Sequence, residues 1–243
     1  MRAWCYIPAR FDSTRLPGKP LIQLAGKPMI QWVVEGARKA PSVERVVVAT
    51  DDQRIVDVVQ GFGGEAVLTS PNHPSGTDRI AEALGEGNPD VVINVQGDEP
   101  MTEPDAIDQI AALFNGPDSP QMATLSHPLS PAEALDPAKV KVVFDNRSNA
   151  LYFSRAPIPY PREGTETAYH HHIGIYAYTP KTLREFVRLP QGKLENLEKL
   201  EQLRALENGI PIRVLVTPYR SFGVDTPQDA QKMDRLLRER NAG

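Results

Sequence analysis

The sequence predicts an α/β fold, in which a mostly parallel sheet is flanked by helices and carries an inserted antiparallel β layer. Two observations predict it. Over residues 3–114, short apolar runs alternate with segments of helical period, an alternation typical of parallel strands joined by right-handed helical crossovers. Over residues 139–178, strand-like runs follow one another with no long helix between them. Such a succession favours antiparallel strands.

The first half of the chain supplies the parallel part. Strands are predicted where β-branched and other apolar residues run together, at residues 3–7, 45–49, 66–68 and 90–95. Helices are predicted from apolar residues three and four positions apart, at residues 29–40, 53–62, 77–84 and 104–114. Pro104 is compatible with the start of the last helix, because proline is tolerated in a first turn.

The second half contains the antiparallel part and returns to helices. Strands are predicted at residues 139–144, 150–154, 171–178 and 212–216, and helices at 181–189, at 194–207 and from 227 onward. Leucines recur at every third position from Leu194 to Leu206, a stripe that drifts around a helix and predicts burial on more than one side. Gly209 is predicted to end that helix. We therefore predict a core of residues 1–125 and 180–243 with an inserted layer of residues 126–179.

Composition narrows the function classes. The 243 residues carry a formal net charge of −4, which argues against bulk binding of nucleic acid, because no excess positive field attracts a polyanion. The single cysteine, Cys5, lies in the first apolar run and is predicted to be a core residue. No signal-peptide pattern opens the chain and no apolar stretch approaches the roughly 20 residues of a membrane span. We expect a cytoplasmic protein without a membrane partner.

A cationic loop follows the first predicted strand. Arg10, Arg15 and Lys19 lie within ten positions, with the hydroxyl of Ser13 among them and a Pro-Gly pair that forces turns. Arginine offers forked donors to phosphate oxygens and lysine offers a compact charge. The loop is therefore suited to a polyphosphate, although a solvated basic surface loop is the alternative interpretation.

Two acidic residues are the candidates for a metal site. Asp98 follows the buried strand 90–95, where ligands of open α/β sheets bind beyond the strand ends. Magnesium is usually held by one or two carboxylates together with substrate phosphates. Asp98 lies too far upstream to cap the helix at Pro104, whereas Asp225, in Asp-Thr-Pro, could equally mark a helix start.

Seven motifs in order make the chain resemble a known family. It closely resembles the 3-deoxy-D-manno-octulosonate (KDO) cytidylyltransferases, the CMP-KDO synthetases of Gram-negative lipopolysaccharide assembly, from about residue 2 to residue 240. The motifs that carry the resemblance are Ile-Pro-Ala-Arg-x-x-Ser-Thr-Arg-Leu-Pro-Gly-Lys-Pro-Leu, Ala-Thr-Asp-Asp, His-x-Ser-Gly-Thr-Asp-Arg, Asn-Val-Gln-Gly-Asp-Glu-Pro, His-Ile-Gly-Ile-Tyr-Ala-Tyr, Leu-Glu-x-Leu-Glu-Gln-Leu-Arg and Val-Asp-Thr-Pro. CMP-sialate synthetases share the Ile-Pro-Ala-Arg opening but lack its continuation, so they rank second.

The resemblance implies a reaction and a nucleotide site. CMP passes from CTP to the anomeric hydroxyl of KDO and pyrophosphate leaves, on a nucleotide-diphospho-sugar transferase-like fold. Asp98 and Asp225 are implied to bind Mg²⁺, with the number of metal ions left open, and Lys19 to offset charge near the α-phosphate. Ser75 and Arg79 are expected to read the cytosine edge. The implied catalytic residues are Lys19, Asp98, Asp225 and Arg10, and the implied nucleotide-binding residues are Pro8, Ala9, Arg10, Ser13, Arg15, Lys19, His73, Ser75, Gly76 and Arg79.

The resemblance also implies a pocket for the sugar acid and a homodimer. The implied substrate-binding residues are Gln96, Arg155, His172, Tyr176, Glu198, Glu201 and Gln202. The last three fall on one face of the predicted helix, where a solvated polar face is the alternative, and Arg155 could equally form an ion pair at a strand end. A zinc site at residues 170–172 is disfavoured, because successive strand residues point to opposite faces. The dimer contact is expected at the helix after Leu194 and the β insertion.

Two alternatives to the leading function stay open. The acceptor could be a modified sugar acid, such as the 8-amino analogue of KDO. A module that senses CTP without turning it over is the alternative from another class, although the presence of both Asp98 and Asp225 argues against it, since a pure binder needs neither as a metal ligand.

Overall fold

A nine-stranded sheet forms the centre of the computed structural model. The structure describes residues 1–12, 16–163 and 168–242, and it describes residues 241 and 242 by their backbone only. Within these residues the strands are β1 (Ala3–Ala9), β2 (Gln23–Leu24), β3 (Lys27–Pro28), β4 (Val43–Thr50), β5 (Glu65–Leu68), β6 (Val91–Asn94), β7 (Met122–Leu129), β8 (Lys141–Phe144), β9 (Ala150–Ser154), β10 (Tyr169–Tyr178) and β11 (Ile212–Val216). The helices are α1 (Met29–Arg38), α2 (Gln53–Gly61), α3 (Gly76–Leu84), α4 (Pro104–Ala112), α5 (Pro131–Ala134), α6 (Pro180–Phe186), α7 (Lys193–Glu198), α8 (Leu203–Glu207) and α9 (Pro227–Ala242).

The strand order confirms the predicted fold class. The main path runs β11-β7-β10-β6-β1-β4-β5. β1 pairs in parallel with both β4 and β6, and β4 pairs in parallel with β5. β10 is antiparallel to both of its neighbours, β6 and β7. The short strands β2 and β3 form a separate hairpin.

Helices cover both faces of this sheet. Because successive side chains of a strand point to opposite faces, each central strand contacts helices on both sides. Cys5 and Ile7 of β1 pack with α1, α2 and α4, whereas Tyr6 packs on the opposite face with α3 and α6. Cys5 is completely buried, as predicted, and burial raises the pKa of its thiol to about 12. No helix in the part of the chain that the structure describes is long and apolar enough to cross a membrane.

The antiparallel segment is built into the central sheet, which corrects the predicted boundary at residue 126. That boundary cuts through β7, a strand that the sequence analysis missed because Ser126, His127 and Pro128 interrupt its apolar pattern. β8 and β9 pair with each other, and β8 joins β10 at one position, His171 with Lys141. The roles of this segment in sugar binding and dimerisation stay predictions.

The single helix predicted at residues 194–207 was wrong. Two short helices, α7 and α8, replace it, because Lys199 adopts a left-handed backbone conformation with φ 55° and ends α7. The predicted burial on several sides holds only for the second half: Leu203 is fully buried, whereas Leu197 is 80% exposed. Glu198, Glu201 and Gln202 therefore do not share one helix face. Gly209, at φ 73°, follows α8 as predicted.

Candidate active site

A cleft of about 280 Å³ lies at the carboxyl ends of β1 and β6, where the sequence predicted the site. The loop after β1 forms one wall and the turn after β6 forms another. Its lining includes the predicted residues Pro8, Ala9, Arg10, Lys19, Gly76, Gln96 and Asp98. Arg10 is exposed at this cleft, whereas Ser13 and Arg15, predicted to bind the nucleotide, lie outside the described residues.

Lys19 joins the two predicted metal ligands. Its Nζ donates to Asp98 Oδ2 at 2.6 Å and to Asp225 Oδ1 at 3.0 Å. Burial acts to lower the pKa of Lys19, but the charge of Asp98 and the hydrogen bonds to both acids outweigh it, so the pKa is raised. The two acids, far apart in sequence, therefore meet on one charged ammonium group.

Asp225 does not serve as the cap of α9, the alternative that its sequence context left open. Thr226 Oγ1 accepts the hydrogen bond of Asp229 N at 3.1 Å, and the Asp229 carboxylate accepts from the backbone N–H of Asp225 and Thr226. Because Thr226 and Asp229 satisfy the helix start, the Asp225 side chain extends to Lys19 instead.

The carboxylates of Asp98 and Asp225 fit a magnesium ion. Their oxygens already converge on one cation, and oxygen is the donor that Mg²⁺ prefers. Among residues 1–12, 16–163 and 168–242 no group of three acidic, histidine or cysteine side chains forms a metal site. Two carboxylates completed by substrate phosphates and water are the usual environment of Mg²⁺ in nucleotide sites.

Two glycines let the β6 turn and the start of α3 pack closely against Pro8, at the floor of the cleft. A Cβ added to Gly97 would lie 2.7 Å from Pro8 O, and one added to Gly76 would lie 3.1 Å from Pro8 Cγ. Only a residue without a side chain fits the first position without a backbone shift. The close approach keeps the β1 loop, the β6 turn and the start of α3 together around the cleft.

The side chains predicted to read the base face elsewhere. Arg79 is fully buried and donates to Asp51 Oδ2 at 2.9 Å and to Thr69 Oγ1 at 2.5 Å. Ser75 Oγ caps α3, accepting from Thr77 N at 3.1 Å, and donates to Asp78. His73 is paired with Glu82. The structure thus does not bring Arg79 to the cleft surface.

Asp51 is a residue of this region that the sequence analysis quoted in a motif but gave no role. One of its carboxylate oxygens accepts from Arg79, and the other accepts from Phe11 N at 3.3 Å. It therefore ties the loop after β1 to the buried arginine of α3. Its position at the end of β4 was the available signal, since polar residues at neighbouring strand ends meet.

On the side predicted for the sugar acid, Arg155 and Glu198 form hydrogen bonds within the protein. The Glu198 carboxylate accepts from Ser154 Oγ at 2.6 Å and from Arg155 N at 3.0 Å. The Arg155 guanidinium donates to backbone carbonyls, those of Glu198 at 2.8 Å and Pro137 at 3.1 Å among them. These contacts fix the end of α7 against β9, and they differ from the ion pair that was the alternative interpretation of Arg155.

His172 is a neutral hydrogen-bonding group. Its Nε2 lies 3.1 Å from Thr124 Oγ1, and the carbonyls of Ile173 and Ile175 also lie within hydrogen-bonding distance of this hydroxyl. When the single hydroxyl proton is directed to one of these carbonyls, Nε2–H donates to Thr124 and Nδ1 is left as an acceptor. Burial lowers the pKa of His172 to about 3. Tyr176 is buried beside it, with ring centroids 5.3 Å apart.

Glu201 links the sugar-acid side to the nucleotide side. Its Oε2 accepts from Thr77 Oγ1 of α3 at 2.6 Å, and burial raises the pKa of its carboxyl. Gln202 is buried as well, and its Nε2 has no hydrogen-bond partner within the described ranges. Gln96 donates to Gly174 O of β10 at 3.0 Å. The connection between α7 and α8 is thus joined to the start of α3, and the turn after β6 to β10.

The three consecutive histidines do not converge. His171 Nδ1 lies 3.1 Å from His127 Nε2, across the pair of strands β10 and β7. His170 packs edge-on against Phe144, and His172 against Phe153. The rings therefore occupy three separate environments, as strand alternation predicts for neighbours.

Comparisons with known proteins identify the family of this chain. The family model for cytidylyltransferases matches residues 4–213. Proteins of Shewanella oneidensis and Shewanella baltica that carry the name 8-amino-3,8-dideoxy-manno-octulosonate cytidylyltransferase are 49% identical over 242 residues, which is 98% of this chain and 99% of theirs.

Two similar solved structures support the same assignment of fold. A CMP:2-keto-3-deoxy-manno-octonic acid synthetase complexed with CTP has a TM-score of 0.95 at 45% identity, over 99% of this chain and 100% of the other. A Bacillus anthracis structure described as a glucose-1-phosphate thymidylyltransferase, in complex with sucrose, has a TM-score of 0.69 at 15% identity over 98% and 96%, and this likeness concerns the fold alone. From the family match and these identities we conclude that the chain belongs to the cytidylyltransferase family of nucleotidyltransferases.

Proposed function

We propose that this enzyme transfers CMP from CTP to the anomeric hydroxyl of KDO and releases pyrophosphate, which activates KDO for lipopolysaccharide biosynthesis. The observation that carries the proposal is the meeting of Lys19, Asp98 and Asp225 at the cleft. A cation and two carboxylates at the end of a parallel sheet are suited to holding a nucleotide tail together with a divalent ion.

In the reaction, the anomeric oxygen forms a bond to the α-phosphorus of CTP while the bond from phosphorus to pyrophosphate breaks. Such transfers depend mainly on positioning and on stabilisation of charge. Arg10 and Lys19 support the triphosphate from the loop after β1, and Arg15 and Ser13 stay predicted contacts. Mg²⁺, when held by Asp98 and Asp225, supplies charge stabilisation and lowers the pKa of the attacking hydroxyl.

For the base, we expect contacts with the backbone of Pro8 and Ala9, which line the cleft. The predicted contacts of His73, Ser75 and Arg79 with the nucleotide would require these side chains to leave their present partners.

The acceptor pocket contains neutral and acidic groups at hydrogen-bonding positions. Gln96, His172 and Gln202 provide neutral polar groups, and Glu201 provides a carboxylate. These suit the hydroxyls of a sugar acid.

A second candidate acceptor is favoured by a specific observation, the name of the Shewanella relatives, which refers to the 8-amino analogue of KDO. The test is pyrophosphate release from CTP and Mg²⁺ with KDO, with 8-amino-KDO, with a sialic acid and with no acceptor. We expect the highest kcat/KM with KDO. A higher value with the 8-amino acid would identify that acceptor, and no release with any sugar acid would favour a CTP-sensing module.

We also propose a homodimer in the cytoplasm. The elements expected at the dimer contact expose leucines, Leu197 of α7 at 80% and Leu151 of β9 at 62%. A second copy of the chain that covered them would remove this apolar surface from water.

A further inference from the structure

A buried contact ties the two acid-bearing segments together. Glu99 directly follows Asp98, and Tyr219 precedes Asp225 by a few residues in the segment between β11 and α9. The Tyr219 hydroxyl donates to Glu99 Oε2 at 3.1 Å. The two residues are only 6% and 5% exposed. Neither lines the cleft, so neither is placed to touch a substrate.

Backbone hydrogen bonds surround this contact. Val224 N donates to Asp98 O at 2.9 Å, immediately before Asp225. Glu99 O in turn accepts from Thr102 Oγ1 at 2.8 Å, which fixes the turn after β6. The segment of residues 217–226 has no helix or strand of its own. Its place beside Asp98 is held by the Val224 hydrogen bond, by the side chains of Tyr219 and Ser221, which both hydrogen-bond to Glu99, and by the contact of Asp225 with Lys19.

We propose that Glu99 and Tyr219 are positioning residues, which set the distance between the carboxylates of Asp98 and Asp225. The inference rests on the proposed function in one respect, namely that those carboxylates act together on a divalent ion. Two anions that share a cation tolerate little displacement, because metal ligands and catalytic groups must be held within about half an ångström. A hydrogen bond buried between their two segments provides such a restraint.

The buried carboxyl group of Glu99 requires hydrogen-bond partners. A carboxyl group that is buried away from water must be hydrogen-bonded, since an unsatisfied group is costly. Glu99 satisfies this requirement with the side chains of Tyr219 and Ser221, both from the segment that carries Asp225. Docking of residues 217–226 against the turn after β6 therefore satisfies Glu99 and brings the two acids together.

The test compares Tyr219→Phe, which removes only the hydroxyl, with Glu99→Gln, which keeps an acceptor, and with Tyr160→Phe as the matched control at an exposed tyrosine. Hydrogen exchange of residues 222–226 is measured without any ligand. Mn²⁺ binding to the CTP-loaded full chain is measured by electron paramagnetic resonance, together with kcat and the KM for CTP.

For Tyr219→Phe we expect faster exchange at Val224, roughly tenfold weaker Mn²⁺ binding and a similar fall in kcat, with the KM for CTP changed less than about twofold. Glu99→Gln should stay within about threefold of the wild type in Mn²⁺ binding, and Tyr160→Phe should be unchanged. Unchanged exchange at Val224, or faster exchange with unchanged Mn²⁺ binding, would overturn the inference. Failure of the proposed function would be a separate result, namely no release of pyrophosphate by the wild type with any sugar acid. In that case the exchange data would still decide whether Tyr219 docks residues 217–226.

Discussion

The residue on which the charge balance of the site depends is Lys19. Its ammonium contacts two carboxylates within 3.0 Å, and its raised pKa keeps it charged throughout the neutral range. If one of the two carboxylates were removed, the Lys19 ammonium would be paired with the other carboxylate alone. Because the acids come from different segments, each can be changed without removing the other from the cleft.

The first prediction concerns Asp98→Asn. The amide keeps the shape of the side chain but loses the negative charge that a divalent ion requires, so we expect kcat to fall by roughly 10²-fold or more. CTP binding, measured by calorimetry, should be largely retained, because Arg10 and the floor at Pro8 remain. Asp118→Asn is the control, since it removes the same charge from an exposed loop. Turnover by Asp98→Asn at the wild-type rate would contradict the assignment.

At the scale of single residues, the sequence predicted groups whose function follows from position along the chain. Lys19 lies in the loop that follows β1 and Asp98 in the turn that follows β6, so the topology of a parallel sheet brings them to one edge. The surroundings of Arg79 and Glu99 could not be predicted in the same way. Whether such a charge faces the cleft or the interior depends on partners from distant segments, Asp51 and Tyr219, which no local spacing indicates.

At the scale of elements, periodicity predicted strands and helices wherever the local pattern was strong. β9 and β11 have the predicted bounds. Periodicity failed to predict the structure where tertiary contacts override the local pattern. The leucines of residues 194–206 suggest one helix, but the chain turns at Lys199 because Arg155 binds the carbonyl groups at the end of α7.

Arg155→Met tests this role of Arg155. Loss of the hydrogen bonds to Glu198 O and Pro137 O should lower the free energy of unfolding by about 2 kcal/mol, measured by urea denaturation. The KM for the sugar acid should rise and the KM for CTP should not. Arg147→Met, at an exposed arginine, should leave the stability unchanged. A higher KM for the acceptor with no loss of stability would instead indicate that Arg155 binds the sugar acid directly.

Gly97→Ala tests the close approach of the β6 turn to β1. The new methyl group would lie 2.7 Å from Pro8 O, so the backbone must shift. We expect a loss of roughly 1–3 kcal/mol in the free energy of unfolding and a higher KM for CTP. Gly116→Ala adds the same methyl group where no atom lies within 4 Å. If both variants bound CTP like the wild type, the glycine would not be required by the site.

At the scale of the whole molecule, the exposed leucines lead to a prediction about assembly. Light scattering should show a dimer for the wild type and a larger fraction of monomer for Leu197→Glu, because the change places a charge on the proposed contact. Leu68→Glu is the control, since Leu68 is 53% exposed but belongs to β5, outside α7 and the inserted layer. A monomeric wild type would refute the proposed dimer.

The strand order of the whole sheet could not be predicted from the sequence, since β10 lies between β6 and β7 although it follows both in the chain.

The pH dependence of stability is also a property of the whole molecule, and buried histidines determine its sign. Burial lowers the pKa of His171 to about 4 and that of His172 to about 3, whereas an unfolded histidine titrates near 6.5. Between these values the unfolded chain binds more protons, so the stabilisation is complete above about pH 6.5 and is lost as the pH falls through 4. Glu99 acts in the opposite direction: burial raises the pKa of its carboxyl to about 7, so folding is favoured at lower pH.

Taken together, the shifts of His171, His172 and Glu99 should make the wild type lose roughly 1–2 kcal/mol in the free energy of unfolding between pH 6.5 and pH 5, as measured by urea denaturation. The lowered pKa values of His127 and His170 act in the same direction as those of His171 and His172, and the raised pKa of Glu201 acts in the same direction as that of Glu99. Glu99→Gln removes the opposing titration and keeps the hydrogen-bond acceptor for Tyr219, so its loss over the same interval should be about twice as large. Proton NMR of the histidine rings provides the independent check, since His171 and His172 should show no titration above about pH 5. A variant whose stability fell less steeply than that of the wild type would contradict the sign assigned to Glu99, and ring signals that titrate near 6.5 would contradict the burial of the two histidines.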